Sequence, residues 1–166
     1  AMKNDNNILD RSIYEDEIFM KMNTEMGNAT KVEYDIYKSL LNNMMEELPY
    51  AAHKKSPDLM ITIKVSYETM IRRIIKRGRD YEQIEKDPSL VDYYHRLLSH
   101  YDDWMDEYDE SPLLIIDGDK YDFVADVKDR VKILETIEDK LYDLGNLEQT
   151  KVDELRKAHL EILKQQ

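Results

Sequence analysis

The chain has 166 residues, a formal net charge of −12 and no cysteine. Without cysteine it can form neither disulfides nor thiolate metal sites, and it suits a reducing compartment. The negative charge argues against a nucleic-acid-binding protein, which needs a basic surface, and no apolar run approaches the ~20 residues of a membrane span. We therefore expect one cytoplasmic domain with a sizeable core, and neither nucleic acid nor membrane as partner.

The first third of the chain is predicted to contain one short strand and two helices. Residues 7–10 place two apolar residues before an aspartate and favour a short strand, and residues 13–22 have the spacing of a helix. Thr30, with Glu33 three residues later, has the pattern of a capping box. It predicts a helix that runs to about Leu48, where a proline follows and ends it.

Short strands alternate with long helices in the rest of the prediction. The pattern predicts strands at 59–65 and 113–116, and helices at 66–77, 87–108, 126–144 and 147–163. Such alternation is typical of an α/β protein with a parallel sheet. Ligands of these proteins bind beyond the carboxyl ends of the strands. Two of the three predicted strands end in an acid, Asp10 and Asp117, so a functional site is expected near Asp10 and Arg11.

Positive charge is concentrated in one segment. Four of the eight arginines fall between Arg72 and Arg79, with Lys76 among them and no acid. This concentration suggests an anion site, because the local field rather than the net charge decides anion binding. A charge run is also typical of a solvated helix face, and Arg72 and Lys76 are expected to face solvent. Composition alone leaves both interpretations open.

Two short motifs resemble those of the deoxynucleoside kinases. Asp10-Arg11-Ser12 resembles the acid-Arg-Ser motif of this family. The segment from Arg73 to Glu82 resembles its lid, R-x-x-x-R-G-R-x-x-E. The chain looks most similar to bacterial deoxyadenosine and deoxyguanosine kinases, in which aspartate replaces the commoner glutamate of the first motif.

The resemblance covers residues 4–144 and implies a fold. The family has a P-loop-kinase-like parallel sheet flanked by helices, with strand order 2-3-1-4-5. The three predicted strands would be the third, fourth and fifth of that sheet. Residues 1–146 would then be the C-terminal two-thirds of a kinase domain, and residues 147–166 a helical extension.

On the nucleoside side, the resemblance implies roles for four residues. Arg11 would hold the 5′-oxygen and the transferring phosphate. Asp10 would also be catalytic, either as a general base or beside magnesium. Asp16, nearly two turns along the helix, would reach the purine, and Glu82 would accept a hydrogen bond from the sugar 3′-hydroxyl.

On the ATP side, the resemblance implies roles for the lid and one late loop. Arg73, Arg77 and Arg79 would close over ATP and its phosphates, for which arginine offers a fixed fork of donors. The first two are four residues apart and share a helix face. Asp117 and Asp119 would lie near the ATP base. Mg²⁺ would enter with ATP, and no protein metal site is expected.

The same residues also have structural interpretations. The motif residues 10 and 11 could form an ion pair, the two substrate acids could be ordinary surface acids, and Asp117 and Asp119 could cap a turn. The four histidines are His53, His95, His100 and His159. They show no metal-ligand spacing, and most are expected at the surface.

The chain contains no pattern for a phosphate-binding loop. G-x-x-x-x-G-K-[ST] does not occur, and four glycines in the whole chain are too few to build one. In the resembled fold the first strand lies between the third and the fourth, so its absence would leave buried strand edges unpaired. We therefore expect about 70 to 80 further residues to complete the domain, and the chain alone to be inactive.

The implied function is ATP-dependent phosphorylation of the 5′-hydroxyl of a purine deoxynucleoside in nucleotide salvage, with adenine and guanine both open. A homodimer is expected, and the predicted helix over residues 30–48 is one candidate surface. A thymidylate-type nucleoside-monophosphate kinase is an alternative, although its motif usually continues D-R-Y. A catalytically silent subunit of a kinase dimer is another, since it would explain the missing loop.

Overall fold

The computed structural model describes three stretches of the chain, residues 7–11, 13–46 and 56–164. Their contacts divide them into two compact units. The helical unit contains the described residues up to Ser56 together with Arg77–Tyr108. The sheet unit contains Pro57–Lys76 and the described residues from Asp109 onward.

All the predicted helices are present in the described residues. In chain order the elements are α1 (Ile13–Glu25), α2 (Lys31–Glu46), β1 (Met60–Lys64), α3 (Tyr67–Arg77), a one-turn 3-10 helix (Asp80–Glu82), α4 (Leu90–Glu107), β2 (Leu113–Asp117), α5 (Val127–Asp143) and α6 (Gln149–Lys164). The predicted helix end near Leu48 lies outside the described residues. No helix that the structure describes is both long and apolar enough to span a membrane.

In the helical unit, α1 packs against α2 and α4. Ile18 and Met22, four residues apart on α1, are buried on one face. α2 begins with the predicted capping box. The Thr30 backbone N–H donates to the Glu33 carboxylate at 2.7 Å, and the Glu33 N–H donates to the Thr30 hydroxyl at 3.2 Å. The bond from the Thr30 N–H, and then one from the Thr30 hydroxyl to the same carboxylate at 2.8 Å, lower the pKa of Glu33. The two reciprocal bonds of the capping box satisfy backbone donors that lack partners inside the helix.

In the sheet unit, β1 and β2 pair in parallel, from Met60 opposite Leu113 to Lys64 opposite Asp117. Parallel neighbours need a long crossover connection, which here includes α3 and α4. α5 packs against β2. The buried apolar residues of this unit are Ile74, Ile116, Val131, Ile133 and Val152. The α/β class and the parallel sheet are therefore confirmed, with two strands in the described residues.

The strand expected at residues 7–10 is wrong. These residues are irregular, Ile8 is fully exposed and Leu9 is 57% exposed. A strand needs a neighbour that exchanges backbone hydrogen bonds with it. The two strands that the structure describes pair with each other in the sheet unit. None of the described residues provides a third partner strand, and an apolar segment this short does not form a strand by itself.

α6 docks on α5 through polar side chains, which the sequence pattern did not predict. His159 is only 5% exposed, and its Nε2 lies 3.3 Å from a carboxylate oxygen of Glu138, which is 7% exposed. Arg156 donates to the other oxygen of Glu138 at 3.0 Å and also pairs with Asp139. His159 is thus not among the histidines at the surface, because the contact between the two helices buries it.

The burial of Glu138 gives a testable pH dependence. Burial raises the pKa of its carboxyl above the ordinary 4.5, although His159 and Arg156 act in the opposite direction. A carboxyl with a raised folded-state pKa contributes its full stability below about pH 4.5 and loses it as the pH rises through the folded pKa. Relative to a Glu138→Gln variant, the wild-type chain is therefore expected to lose stability as the pH rises above about 4.5. Urea unfolding at several pH values measures the difference.

Glu17→Gln is a control of opposite sign. Burial acts to raise the pKa of Glu17, but hydrogen bonds from Tyr34 and Lys38 outweigh it and lower the pKa below 4.5. Its contribution is therefore present above about pH 4.5 and is lost as the pH falls through the lowered pKa. The same pH trend in both variants would contradict the assignment for Glu138.

Candidate active site

Asp10 and Arg11 lie directly before α1, and both are exposed. Arg11 has a φ of +68°, and no other non-glycine residue that the structure describes has a positive φ. This backbone conformation costs an L-residue about 1–2 kcal/mol, and such residues cluster at functional sites. The Arg11 guanidinium lies 5.1 Å from the centroid of the Phe19 ring on α1, a cation–π contact. Ser12 lies outside the described residues.

Asp16 lies near the start of α1, beside a cavity of about 160 Å³ between α1 and α2. The other lining residues are Ile13, Tyr37, Leu40, Leu41 and Met44. Burial, and then the charge of Asp16, raise the pKa of Tyr37, so its hydroxyl stays protonated. The cavity is smaller than the ~300–1,000 Å³ of complete ligand pockets. It can hold part of a ligand, with one carboxylate available to accept hydrogen bonds.

Glu82 pairs with two arginines of the lid. The Arg77 guanidinium lies 2.6 Å from one Glu82 carboxylate oxygen, and that of Arg79 lies 3.4 Å from the other. The Glu82 side chain is 16% exposed, whereas those of Arg77 and Arg79 are 48% and 53% exposed. Tyr81, and then Glu82, raise the pKa of Arg79. The structure therefore leaves the acid partly buried and the two cations more accessible to an anion.

The third lid arginine, Arg73, has other partners. It belongs to the sheet unit and donates to the backbone carbonyls of Gly118 at 2.7 Å and Tyr121 at 3.4 Å. The structure thus joins Arg73 to the loop after β2, and Arg77 to Glu82. Arg73 and Arg77 were expected to act together from one helix face, but in the structure their side chains bind different partners.

Asp117 and Asp119 organise the turn after β2. One oxygen of Asp117 accepts hydrogen bonds from the N–H groups of Asp119 and Lys120, at 3.0 and 3.1 Å. Asp119 accepts from the backbone N–H and the hydroxyl of Ser66, at 2.8 and 3.0 Å. A hydrogen bond from Thr69, and smaller contributions from Ser66, lower the pKa of Asp119. Asp117 thus caps the turn, whereas Asp119 joins the turn to the start of α3, and a position of both acids near the ATP base stays a prediction.

α4 contributes three side chains that the sequence analysis missed. The Tyr94 hydroxyl donates to the backbone carbonyl of Glu82 at 2.9 Å. Tyr101 donates to the carboxylate of Glu15, and the Trp104 indole donates to a backbone carbonyl of α1 at 3.0 Å. Tyrosines recur every seven residues at positions 94, 101 and 108. That spacing marks one helix face and is the signal that could have identified Tyr94 and Tyr101.

Known proteins similar to this chain include two deoxyguanosine kinases and a deoxyadenosine kinase. The chain is 54% identical over 147 residues to deoxyguanosine kinase of Lactobacillus acidophilus, with 89% of this chain and 64% of the relative covered. For deoxyguanosine kinase of Lactobacillus johnsonii the identity is 53% over 148 residues, with 89% and 66% covered. For deoxyadenosine kinase of Lactobacillus acidophilus it is 50% over 147 residues, with 89% and 68% covered. The chain thus spans about two thirds of the length of these relatives.

The family model described as deoxynucleoside kinase matches residues 1–142. No solved structure gives a significant match. The matched range includes both the Asp10-Arg11-Ser12 motif and the lid from Arg73 to Glu82. The model matches most of the chain, and at least half of the aligned residues are identical in each of three such kinases, so the chain belongs to the deoxynucleoside kinase family.

Proposed function

We propose that the full-length protein transfers the γ-phosphate of ATP to the 5′-hydroxyl of a purine deoxynucleoside, in nucleotide salvage. The main support is that five of the expected site residues belong to one unit, the helical unit: Arg11, Asp16, Arg77, Arg79 and Glu82. This set contains the cations and acids that such a transfer needs. The names of the relatives, deoxyguanosine kinase and deoxyadenosine kinase, support a purine substrate.

Arg11 is proposed to hold the 5′-oxygen and the transferring phosphate. Phosphoryl transfer depends on positioning and on positive charge around the phosphate oxygens. The exposed guanidinium of Arg11 supplies that charge, and its contact with the Phe19 ring restricts its position. Asp10, the preceding residue, is proposed to act either as a general base or beside the magnesium ion.

Arg77, Arg79 and Glu82 are proposed to act together. Glu82 would accept a hydrogen bond from the sugar 3′-hydroxyl, and its low exposure suits a fixed recognition group. Arg77 and Arg79 would bind ATP phosphates. Exposed ion pairs contribute only ~0–1 kcal/mol, so a phosphate group with more charge can recruit these arginines from the carboxylate.

Asp16 is proposed to read the purine. Its carboxylate beside the apolar cavity would accept hydrogen bonds from ring or exocyclic N–H groups, while the cavity holds the flat apolar faces. On the ATP side, Arg73 would close over ATP and its phosphates, and Asp117 and Asp119 would lie near the ATP base. The hydrogen bonds of these three residues with the loop after β2 and with the start of α3 would keep this part of the ATP site rigid.

Mg²⁺ is proposed to enter with ATP. Among the described residues, no three His, Asp or Glu side chains are grouped as a metal site. Mg²⁺ needs no such group, since it commonly binds one or two carboxylates, waters and the phosphates of its nucleotide. Asp10 is an exposed carboxylate beside the motif arginine, so the residues present fit that arrangement.

A homodimer is proposed, with α2 as one candidate surface. Four apolar side chains recur at four-residue intervals along it and are 45–65% exposed: Val32, Ile36, Leu40 and Met44. Such a stripe on a surface helix is typical of a protein contact. Sedimentation of the full-length protein at several concentrations measures the oligomeric state.

The test of the function is an assay of the full-length protein with ATP-Mg²⁺ and deoxyadenosine, deoxyguanosine or dTMP. We expect a 5′-monophosphate from one or both purine deoxynucleosides. A diphosphate formed from dTMP alone would favour a thymidylate-type kinase. No product from any of the three, with folded protein, would favour a catalytically silent subunit.

A further inference from the structure

One buried hydroxyl ties α4 to the lid segment. Tyr94 is 6% exposed, and its hydroxyl donates to the backbone carbonyl of Glu82 at 2.9 Å. That carbonyl belongs to the last residue of the one-turn 3-10 helix, where carbonyls lack helical partners. A buried tyrosine hydroxyl in turn needs a partner of its own. The two groups therefore satisfy each other.

This hydrogen bond fixes the backbone from which the Glu82 carboxylate projects. The carboxylate is held on its other side by Arg77 and Arg79, whose side chains are about half exposed. Exposed arginines hold a position weakly. The buried Tyr94 contact is thus the more rigid of the two supports of Glu82.

The same helix also holds α1. Further along α4, Tyr101 and Trp104 donate hydrogen bonds to the first turn of α1. α1 carries Asp16 in that first turn. One face of α4 therefore supports both acids that are proposed to contact the nucleoside, Glu82 for the sugar and Asp16 for the base.

We propose that Tyr94 is a positioning residue for the Glu82 carboxylate, and through it for recognition of the sugar 3′-hydroxyl. The proposal rests on the proposed kinase function. Tyr94 touches no substrate itself. Its hydroxyl sets where the carboxylate stands, so its loss should matter only for substrates whose 3′-hydroxyl that carboxylate recognises.

The test compares Tyr94→Phe with wild type in the full-length protein on two substrates. One is deoxyadenosine or deoxyguanosine, whichever wild type accepts, and the other is its 2′,3′-dideoxy analogue. With the deoxynucleoside, kcat/KM is expected to fall about 3- to 10-fold, mostly through KM, which is the range for one lost hydrogen bond. With the dideoxy analogue it is expected to stay within about 2-fold of wild type. If the analogue turns over too slowly, calorimetric Kd values for the two nucleosides replace kcat/KM.

Tyr93→Phe is the matched control. Tyr93 is the neighbouring tyrosine on α4, and its ring contacts that of Tyr94 at 5.5 Å between centroids. Tyr93→Phe is expected to leave kcat/KM unchanged for both substrates. The positioning role would be overturned if Tyr94→Phe lowered kcat/KM equally for both nucleosides or lowered it for neither. A Tyr94→Phe variant that does not fold would overturn it as well. Failure of wild type to phosphorylate any deoxynucleoside would instead overturn the proposed function itself.

Discussion

Replacing Arg11 by alanine in the full-length protein is expected to lower the turnover number about 100-fold or more. The transferring phosphoryl group carries charge on its oxygens that a positioned cation stabilises, and alanine removes that cation. The free energy of unfolding is expected to change by less than about 1 kcal/mol, because Arg11 is exposed and its contact with Phe19 is a surface cation–π contact. Alanine keeps the strain of a positive φ, so that cost cancels. Steady-state kinetics and urea unfolding measure the two quantities.

Arg96→Ala is the matched control for this prediction. Arg96 is also an exposed arginine of the helical unit, on α4, and its loss is expected to leave turnover unchanged. Arg11→Lys keeps the charge without the planar fork of donors and is expected to give an intermediate turnover. Near-normal turnover of Arg11→Ala, or an equal loss in Arg96→Ala, would contradict the catalytic role.

Replacing Arg156 by methionine is expected to lower the free energy of unfolding by about 2 to 3 kcal/mol. Arg156 donates to the Glu138 carboxylate at 3.0 Å and to the Glu135 carbonyl at 3.2 Å. The Glu138 side chain is 10% exposed, so its charge cannot be rehydrated without opening the α5–α6 contact. Breaking a fully buried pair costs about 3–5 kcal/mol. The smaller value is expected here because the Arg156 side chain is 27% exposed and His159 remains beside Glu138.

Lys151→Met on the same helix is the matched control for Arg156→Met. Lys151 pairs with Glu154 at 3.0 Å, but both side chains are more than half exposed, so a loss of no more than about 0.5 kcal/mol is expected. Adding Glu138→Gln to Arg156→Met should restore part of the stability, because it removes the uncompensated charge. Urea unfolding measures both free energies. If Arg156→Met is no less stable than Lys151→Met, the contacts of Arg156 and His159 with Glu138 do not hold α6 in place.

Local signals predicted most elements correctly because the interactions behind them are local. The Thr30 and Glu33 capping box joins residues three apart, and both of its hydrogen bonds form as expected. Ser66 likewise caps α3 through Thr69, whose N–H donates to the Ser66 hydroxyl at 3.3 Å. Apolar runs predicted β1 and β2. The apolar run at 7–10 failed as a strand, because a strand depends on a distant partner that no local pattern reports.

The contacts between distant residues were beyond the sequence pattern. Nothing in the spacing of His159 distinguished a buried histidine beside Glu138 from a surface one, because burial depends on the helix packed opposite. In the lid, the sequence placed Arg73, Arg77 and Glu82 in one motif. Their partners, a loop carbonyl for Arg73 and a carboxylate for Arg77, depend on how the chain folds back.

The sequence by itself therefore determined the family, through two motifs in the right order, and the α/β class, through alternating short strands and helices. The charges that a phosphoryl transfer needs were also readable from it, because residue type sets charge. Only the tertiary structure decided which of those charges are buried, which are paired and which backbone supports them. The clearest case is Glu82, whose motif position was visible in the sequence, while its support by the Tyr94 hydroxyl required the packing of α4 against the lid segment.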